Sequence, residues 1–333
     1  MSSSAHAHAA PLQAALEAGP DTPTVSIGLP VYNGDAYLDL AIRAAVEQTF
    51  EDFELILGDN ASTDSTADIC QEWAEKDKRI RWVRSEVHTG AAGNFNRTFG
   101  LARGQYFRWA AHDDLTEATY LERCVERLRS DKQIVLVHSR MVEIDEQGFI
   151  NGDLGWPIQN GSDPDPIKRF AGAIDLNHGC FDVFGLVRTA ALAKTRLIAP
   201  YLGSDRVLLA ELALQGRLER VDEVLFQSRE HPQRSIRMRS DSARDQWFAS
   251  GRRSAKFRPN WRRYHAVRDA VARAELTLGQ RLRCHTEIAK WALKQRGSLY
   301  RELVGRARIG DINEKMPPNE PLDGPLPSAS KLS

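Results

Sequence analysis

Two adjacent carboxylates, Asp113 and Asp114, follow an apolar segment that ends in Ala111. Hard divalent cations bind to carboxylate oxygens, and Mg²⁺ typically takes one or two of them while phosphate oxygens and water fill its other positions. The pair is therefore suited to holding Mn²⁺ or Mg²⁺ against a diphosphate. Aspartates also cap helices, so the start of the next helix is an alternative role for either residue.

Two further polar clusters follow segments rich in apolar and β-branched residues. The first contains Pro30, Tyr32 and Asn33, and the second contains Asp59 and Asn60. A tyrosine ring can stack on a flat base, and carboxylate or amide oxygens can accept hydrogen bonds from a base or a ribose. Taken alone, each cluster is more typical of a plain turn.

The elements that would position these clusters alternate between strand and helix patterns over residues 24–138. Strands that alternate with helices form a mainly parallel sheet, and such sheets bind ligands beyond the carboxyl ends of their strands. All three clusters lie at predicted strand ends, with Asp35 and Asp64 as predicted helix caps. We therefore expect one site at one edge of the sheet.

The pattern is looser after residue 138. Residues 141–150 predict a hairpin around Gln147–Gly148, and residues 151–166 indicate a loop because they are rich in Gly, Asp, Pro and Asn. The segments FDVFGLV and EVLFQSRE predict strands, and GSDRVLLAELALQG between them predicts a helix. Helices are predicted from about residue 240 to residue 308.

The composition excludes several classes of protein. Hydrophobic residues make up 42% of the chain and charged residues 27%, which is ordinary for a soluble globular protein. No run approaches the ~20 apolar residues that cross a bilayer, and the N-terminus lacks the features of a signal peptide. The four cysteines are scattered, which argues against a zinc site and favours a reducing, cytoplasmic compartment.

The C-terminal part is strongly basic. Residues 251–310 carry 16 basic and 4 acidic side chains, although the whole chain is neutral. Cys284, Ile288 and Trp291 recur at helical spacing, which favours a helix packed on the body with a solvated basic face. Peripheral contact with an anionic membrane and a partner-binding helix are alternatives. No recognised nucleic-acid motif accompanies the charge, so we expect no nucleic-acid partner.

In this order and spacing, the motifs PVYN, GDNASTDST and QYFRWAAHDD resemble those of the family 2 glycosyltransferases, inverting enzymes with the GT-A fold. The resemblance covers roughly residues 24–235. It implies an α/β, GT-A-like fold, with a mainly parallel twisted sheet flanked by helices and a helical C-terminal extension. The implied divisions are a flexible leader (1–23), a catalytic domain (24–238) with nucleotide-binding (24–115) and acceptor (116–238) halves, a basic helical extension (239–310) and a disordered tail (311–333).

The resemblance also implies roles for individual residues. Asp113 would lie near the donor ribose and sugar, and Asp114 would bind Mn²⁺ or Mg²⁺. Asp205 matches the catalytic base, which takes the proton of the acceptor hydroxyl. An acid in the first turn of a helix also simply complements the helix dipole. The implied nucleotide-sugar contacts at the strand ends are Pro30, Tyr32, Asn33, Asp59 and Asn60.

Two positions depart from the family's pattern. A further carboxylate is often found where this chain has Ala111, and the second strand end often carries two aspartates where this chain has Asp59 followed by Asn60. His112 remains a candidate donor contact. In REHPQRS, His231 is a candidate ligand of the metal or diphosphate. The arginines of that segment, Arg229 and Arg234, are candidate phosphate ligands, or else part of a solvated basic loop.

These observations predict a metal-dependent, inverting glycosyltransferase. Its donor would be a UDP- or dTDP-linked sugar, its acceptor an unidentified hydroxyl, and its setting cell-surface polysaccharide or glycoconjugate synthesis. One alternative is a non-catalytic nucleotide- or carbohydrate-binding module, because Ala111 replaces a carboxylate. Another is a sugar nucleotidyltransferase, but that class needs a glycine-rich phosphate loop after the first strand, and PVYNGDAY does not supply one.

Overall fold

The computed structural model describes residues 22–234, 247–248 and 258–304. The predicted leader up to residue 21 and the predicted tail lie outside this part of the chain. Within it, the strands are β1 (Val25–Val31), β2 (Phe53–Asp59), β3 (Ile80–Arg84), β4 (Tyr106–Trp109), β5 (Leu115–Thr116), β6 (Ile134–Ile144), β7 (Ile150–Asp153), β8 (Leu186–Arg188) and β9 (Arg217–Arg229). The helices there are α1 (Asp35–Val46), α2 (Thr66–Lys76), α3 (Gly90–Gly100), α4 (Tyr120–Ser130), α5 (Pro166–Ile174), α6 (Thr189–Ala193), α7 (Ser204–Gln215), α8 (Pro259–Arg273), α9 (Leu278–Lys294) and α10 (Arg296–Leu303).

The described strands form one sheet in the order β3-β2-β1-β4-β8-β6-β9-β5, with β7 paired to β6. The first four strands of the chain are parallel, and so is the long β6–β9 pair. The antiparallel pairs are β4–β8, β5–β9, β6–β7 and β6–β8. The predicted α/β fold with a mainly parallel sheet flanked by helices is confirmed. The carboxyl ends of β1, β2 and β4 therefore meet at one edge, as the sequence predicts.

Two glycines allow helix α3 to lie close to this edge. A Cβ atom at Gly28 would lie 2.6 Å from the Thr98 hydroxyl oxygen, and one at Gly58 would lie 2.6 Å from the Thr98 methyl carbon. The close approach lets the Asn94 amide donate to the carbonyls of Gly58 (2.6 Å) and Val31 (3.3 Å). One helix side chain thus ties the ends of β1 and β2 together.

Several local predictions were wrong. Neither Asp113 nor Asp114 caps the next helix, because α4 begins only at Tyr120, after the short strand β5. Phe181–Phe184 is a 3-10 helix, and only the following residues form strand β8. Asp35 lies in the first turn of α1, whose N-cap residue is Gly34.

The predicted fifth strand and the first arm of the hairpin form one strand, β6. The register of β6 against β9 shifts at three places, so one long, irregular strand fits where the sequence indicates a break. The hairpin itself is confirmed, with Gly148 in a left-handed conformation (φ 91°) at its turn.

The C-terminal helices pack on the body of the protein, as the apolar spacing predicts. Helix α8 packs against α7, and α9 packs against α5. Ile288 and Trp291 belong to the same buried cluster as Leu208 and Leu212 of α7. The basic helices are therefore anchored through a continuous apolar core.

The opposite face of α9 exposes Leu278, Leu282 and Leu293. Peripheral membrane contact through the basic C-terminal helices stays a prediction. Among the described residues, no helix has the length and apolar character required to cross a membrane.

The segment after α5 is fixed by a buried histidine. His178 is 4% exposed, its Nδ1 accepts the Cys180 amide N–H (3.2 Å), and its Nε2 lies 3.0 Å from the carbonyl oxygen of Ala173. Burial and the nearby Arg206 guanidinium lower the pKa of His178 to about 4. An imidazole that accepts a hydrogen bond at one nitrogen is neutral, so the contacts and the lowered pKa agree.

Replacing Gly28 with alanine should destabilise the protein by about 2 kcal/mol, because a methyl group there overlaps Thr98 in a closely packed layer. Urea unfolding followed by circular dichroism measures the change. Gly279→Ala is the matched control: it lies in the exposed first turn of α9, with no atom within 4 Å of the added Cβ. Equal stability of the two variants would contradict the close approach of α3.

The stability of the wild type should fall by about 2 kcal/mol between pH 7 and pH 5 on account of His178 alone. The unfolded chain binds a proton below about pH 6.5, whereas the folded chain excludes it until about pH 4. Urea unfolding of the wild type and of His178→Gln at both pH values isolates this contribution. An identical pH dependence in the two proteins would show that His178 does not titrate as described.

Candidate active site

A cavity of about 720 Å³ opens beyond the carboxyl ends of β1, β2 and β4. This volume is in the usual range for ligand-binding pockets. Asp113, Asp114 and Asp205 all line its wall, although 91 residues separate the last two in the sequence. Other candidates from the sequence that line it are Pro30, Tyr32, Asn33, Asn60, His112, His231 and Arg234.

Asp113 is held by a histidine from the other half of the chain. Its Oδ2 lies 2.9 Å from Nε2 of His231, and the two side chains are 14% and 3% exposed. Burial opposes ionisation of Asp113, but His112, His231 and Arg234 together lower its pKa below the usual range. The hydrogen bond to Asp113 in turn raises the pKa of His231. The two groups therefore favour a charged pair.

Asp114 is held by the end of β9. Its Oδ1 accepts hydrogen bonds from the Ser228 hydroxyl (3.1 Å) and from the Arg229 amide (2.9 Å). The Arg234 guanidinium donates to the same hydroxyl oxygen (2.7 Å). Burial and the adjacent charge of Asp113 raise the pKa of Asp114. Two neighbouring carboxylates are thus shifted in opposite directions.

The surroundings of Asp114 fit a cation that takes one oxygen from the protein and its other ligand atoms from phosphate and water. In the part of the chain that the structure describes, no group of three or more His, Cys, Asp or Glu side chains could hold a metal ion. No hydrogen bond between described residues reaches Oδ2 of Asp114, which leaves that oxygen for a cation. One carboxylate plus phosphate oxygens and water suffices for Mg²⁺.

His231 is already engaged at both ring nitrogens. Its Nε2 bonds to Asp113, and its Nδ1 lies 3.2 Å from the side-chain oxygen of Gln233. Binding a metal through this ring would require one of these contacts to break. The geometry favours a role in orienting Asp113 over the predicted metal ligation.

Arg229 is not part of a solvated loop. It is 2% exposed, and its Nη1 donates to the carbonyls of Asp145 and Glu146 at 3.0 and 3.1 Å. Its Nε donates to the carbonyl of Asp113 (3.2 Å), and its guanidinium lies over the Tyr37 ring. Arg229 therefore fixes the hairpin after β6 to the acidic motif, and the phosphate role predicted for it is wrong. Sequence reasoning missed Ser228 and Tyr37, which carry no motif signal.

The first strand end presents a tyrosine on a constrained turn. Tyr32 is 39% exposed and packs edge-on against His88, with ring centroids 4.2 Å apart. Asn33 has a left-handed backbone (φ 49°), which asparagine tolerates better than most residues. Its backbone N–H donates to the Ser62 hydroxyl (3.1 Å), and its side-chain oxygen accepts from the Thr63 backbone N–H (2.9 Å). The tyrosine is thereby presented to the cavity.

At the second strand end, the side chains of Asp59 and Asn60 form hydrogen bonds with neighbouring backbone groups. Asn60 is 1% exposed; its side-chain oxygen accepts from the Thr89 amide (2.9 Å), and its amide group donates to the Gly90 carbonyl (3.2 Å). Asp59 is fully buried, accepts from the Ser62 amide (2.9 Å), and lies away from the cavity wall. The turn interpretation therefore describes Asp59 better than a direct nucleotide contact.

His112 lies between the first strand end and the acidic motif. A Cβ atom at Gly34 would lie 2.4 Å from the His112 ring, so the glycine gives the imidazole its place on the cavity wall. His112 also helps to lower the pKa of Asp113. Its position fits a donor contact.

Asp205 stands in the first turn of α7. Gly203, which has a left-handed backbone (φ 85°), is the N-cap residue of this helix. The Oδ1 of Asp205 accepts the amide N–H of Arg206 (2.8 Å), and the Arg206 side chain donates to the His178 carbonyl (2.9 Å). These contacts anchor the turn that presents Asp205 to the cavity.

Part of the cavity wall is aromatic. Several aromatic side chains line it, and no sequence motif marks them. These aromatic residues are Trp156, Phe181, Phe184, Trp247 and Phe248.

Segments of this chain are similar in sequence to known proteins. A segment of 137 residues is 33% identical to chondroitin synthase of Escherichia coli, covering 41% of this chain and 20% of that protein. A longer segment is 26% identical to the putative glycosyltransferase EpsH of Bacillus subtilis (strain 168), covering 63% of this chain and 56% of the relative. The chain thus covers about a fifth of the length of the first relative and about half of the length of the second.

Among solved structures, TarS 1-349 of S. aureus in complex with UDP-GlcNAc has a TM-score of 0.59 at 15% identity, covering 81% of this chain and 73% of that chain. This likeness shows a shared fold. The family model described as glycosyl transferase family 2 matches residues 26–193, about half of the chain, which includes the first two polar clusters and the acidic motif. The chain therefore belongs to glycosyl transferase family 2.

Proposed function

We propose that this protein transfers a sugar from a nucleotide-sugar donor to an acceptor hydroxyl, with inversion at the anomeric carbon. The observation that carries this proposal is the shared cavity: Asp113 and Asp114 lie on the same wall as Asp205. An inverting transfer needs the leaving diphosphate and the base on opposite faces of one sugar ring, which requires both groups in one cleft. The family membership supports the same chemistry. We further propose residues 24–238 as the catalytic domain and residues 239–310 as its helical extension.

The donor would bind beside the polar side chains at the carboxyl ends of the strands. Tyr32 is the exposed ring on which a base can stack, and the neighbouring Pro30 and Asn33 line the same wall. His112 and Asp113 then face the ribose and sugar. Because the S. aureus neighbour was solved with UDP and with UDP-GlcNAc, uridine nucleotides are the first to test, with dTDP next.

Asp114 would hold Mn²⁺ or Mg²⁺ through its free carboxylate oxygen. When bound, the cation neutralises the diphosphate and makes it a better leaving group. The chain's own contribution is to orient Asp114 through Ser228 and the Arg229 amide, and to keep Asp113 ionised through His231. Arg234, on the cavity wall, supplies a further positive charge.

Asp205 would act as the base. Its place at the start of α7, beyond the acidic motif, suits removal of a proton from an acceptor hydroxyl that attacks from the far side of the sugar. The aromatic part of the cavity wall would then contact the acceptor. The chondroitin synthase relative supports polysaccharide or glycoconjugate synthesis as the setting.

Two alternatives make different predictions. A non-catalytic binding module would bind nucleotide without turnover. A sugar nucleotidyltransferase would make the nucleotide-sugar from a sugar phosphate and a nucleoside triphosphate. Slow, Mn²⁺-dependent hydrolysis of a nucleotide-sugar in the absence of acceptor would favour the transferase over both.

Asp205→Asn should lower kcat for sugar transfer about 10²- to 10⁴-fold with little change in the KM of the donor, because a general base contributes this factor without binding the nucleotide. The measurement is release of nucleoside diphosphate during transfer. Asp222→Asn is the matched control, since the Asp222 side chain is 84% exposed and lies outside the cavity wall. Full activity in Asp205→Asn would rule out the base assignment.

Asp114→Asn should abolish the part of nucleotide binding that depends on Mn²⁺. A ligand at 100 times its Kd stabilises the folded state by about 2.7 kcal/mol. Thermal unfolding with UDP and Mn²⁺, UDP alone and Mn²⁺ alone should therefore show a synergistic rise in Tm in the wild type and none in the variant. An equal rise in both proteins would exclude Asp114 as the metal ligand.

A further inference from the structure

The start of helix α1 contacts both histidines that lie next to Asp113. A Cβ atom at Gly34, the N-cap residue of this helix, would lie 2.4 Å from the His112 ring. In the first turn, the Tyr37 ring packs against the imidazole of His231, with ring centroids 4.9 Å apart and ring planes inclined by 53°. Aromatic rings at this separation attract each other. The helix that follows the first strand end therefore contacts the surroundings of Asp113 at two points.

The contacts of His231 explain what a ring at position 37 can do. Nε2 of the imidazole lies 2.9 Å from Oδ2 of Asp113, and Nδ1 lies 3.2 Å from the side-chain oxygen of Gln233. The second torsion of a histidine side chain has broad preferences, so its ring plane depends on what packs against it. Tyr37 supplies an aromatic ring at this place. Without that ring, the imidazole could turn out of line with the Asp113 carboxylate.

Tyr37 is itself held in place from the other half of the chain. The guanidinium carbon of Arg229 lies 5.0 Å from the Tyr37 ring centroid, and a cation at this distance is attracted to the ring. Arg229 is fixed in turn by its hydrogen bonds to the carbonyls of Asp113, Asp145 and Glu146. No hydrogen bond joins the Tyr37 hydroxyl to a described residue. The ring, rather than the hydroxyl, therefore makes the contacts.

We propose that Tyr37 is a positioning residue for donor binding: its ring fixes the plane of the His231 imidazole and, through that imidazole, the Asp113 carboxylate. This inference rests on the proposed function, in which Asp113 faces the ribose and sugar of the donor. Tyr37 lies outside the cavity wall, so it acts without touching the donor. Because α1 begins directly after the strand end that carries Tyr32, one helix joins the base-stacking ring to the carboxylate.

Tyr37→Leu removes the ring and keeps an apolar side chain of moderate size. We expect the Kd of UDP, measured by calorimetry at saturating Mn²⁺, to rise about three- to tenfold, which is the range that an aromatic pair contributes. Tyr37→Phe should restore the Kd to within about twofold of the wild-type value, because it keeps the ring. Tyr300→Leu is the matched control, since Tyr300 is 65% exposed and lies outside the cavity wall, and it should leave the Kd unchanged.

A double-mutant cycle with His231→Ala separates this role from packing of the helix. If Tyr37 acts through His231, Tyr37→Leu should cause no further rise in the Kd of UDP once the imidazole is gone. Additive losses in the double variant would overturn the inference, because they would place the effect on Arg229 or on packing. Urea unfolding followed by circular dichroism shows that each variant is folded.

Two further results would overturn the inference. One is a wild-type Kd in Tyr37→Leu. The other is a loss in Tyr37→Phe as large as the loss in Asp113→Asn, and this result decides the matter even if Tyr37→Leu does not fold. Failure of the proposed function is distinguishable, because the wild type would then bind neither UDP nor dTDP with Mn²⁺, and the inference would fail with it.

Discussion

The acidic motif depends on hydrogen bonds that cross from one half of the chain to the other. Asp113 bonds to His231, and Asp114 accepts from Ser228 and the Arg229 amide, over sequence separations of 114 to 118 residues. Adjacent carboxylates at a strand end repel each other and lose solvation. The end of β9 compensates both effects, so residues 24–115 by themselves lack the groups that hold the acidic motif.

The positions of the site residues could be predicted from the sequence because parallel strands end at one edge. This rule places Tyr32, Asn60 and Asp114 together without knowledge of any contact. The partners could not be predicted. They depend on β9 lying parallel to β6 and reaching β5, which is a long-range pairing that no local pattern encodes. For the same reason Arg229 resembles a solvated cation in the sequence and is a buried clamp in the structure.

The two aspartates differ in their environments more than in their positions. Asp113 has a partner that gains a proton readily, and its pKa is lowered; Asp114 has neutral donors, and its pKa is raised by burial and by its neighbour. Titratable groups whose pKa values are pushed apart by their surroundings typically divide the chemical work between them. Because this chain has Ala111 where the family often has a further carboxylate, only two groups share this work.

The apolar core shared by α9 and α7 has a consequence for how the molecule folds. Ile288 and Trp291 cover the same layer as Leu208 and Leu212, so a chain that ended before α8 would leave this layer in contact with water. We therefore expect residues 24–304 to unfold in one cooperative transition, not as a catalytic body and a detachable appendage. The helices of this basic region are then part of the packed core of the protein as well as of its surface.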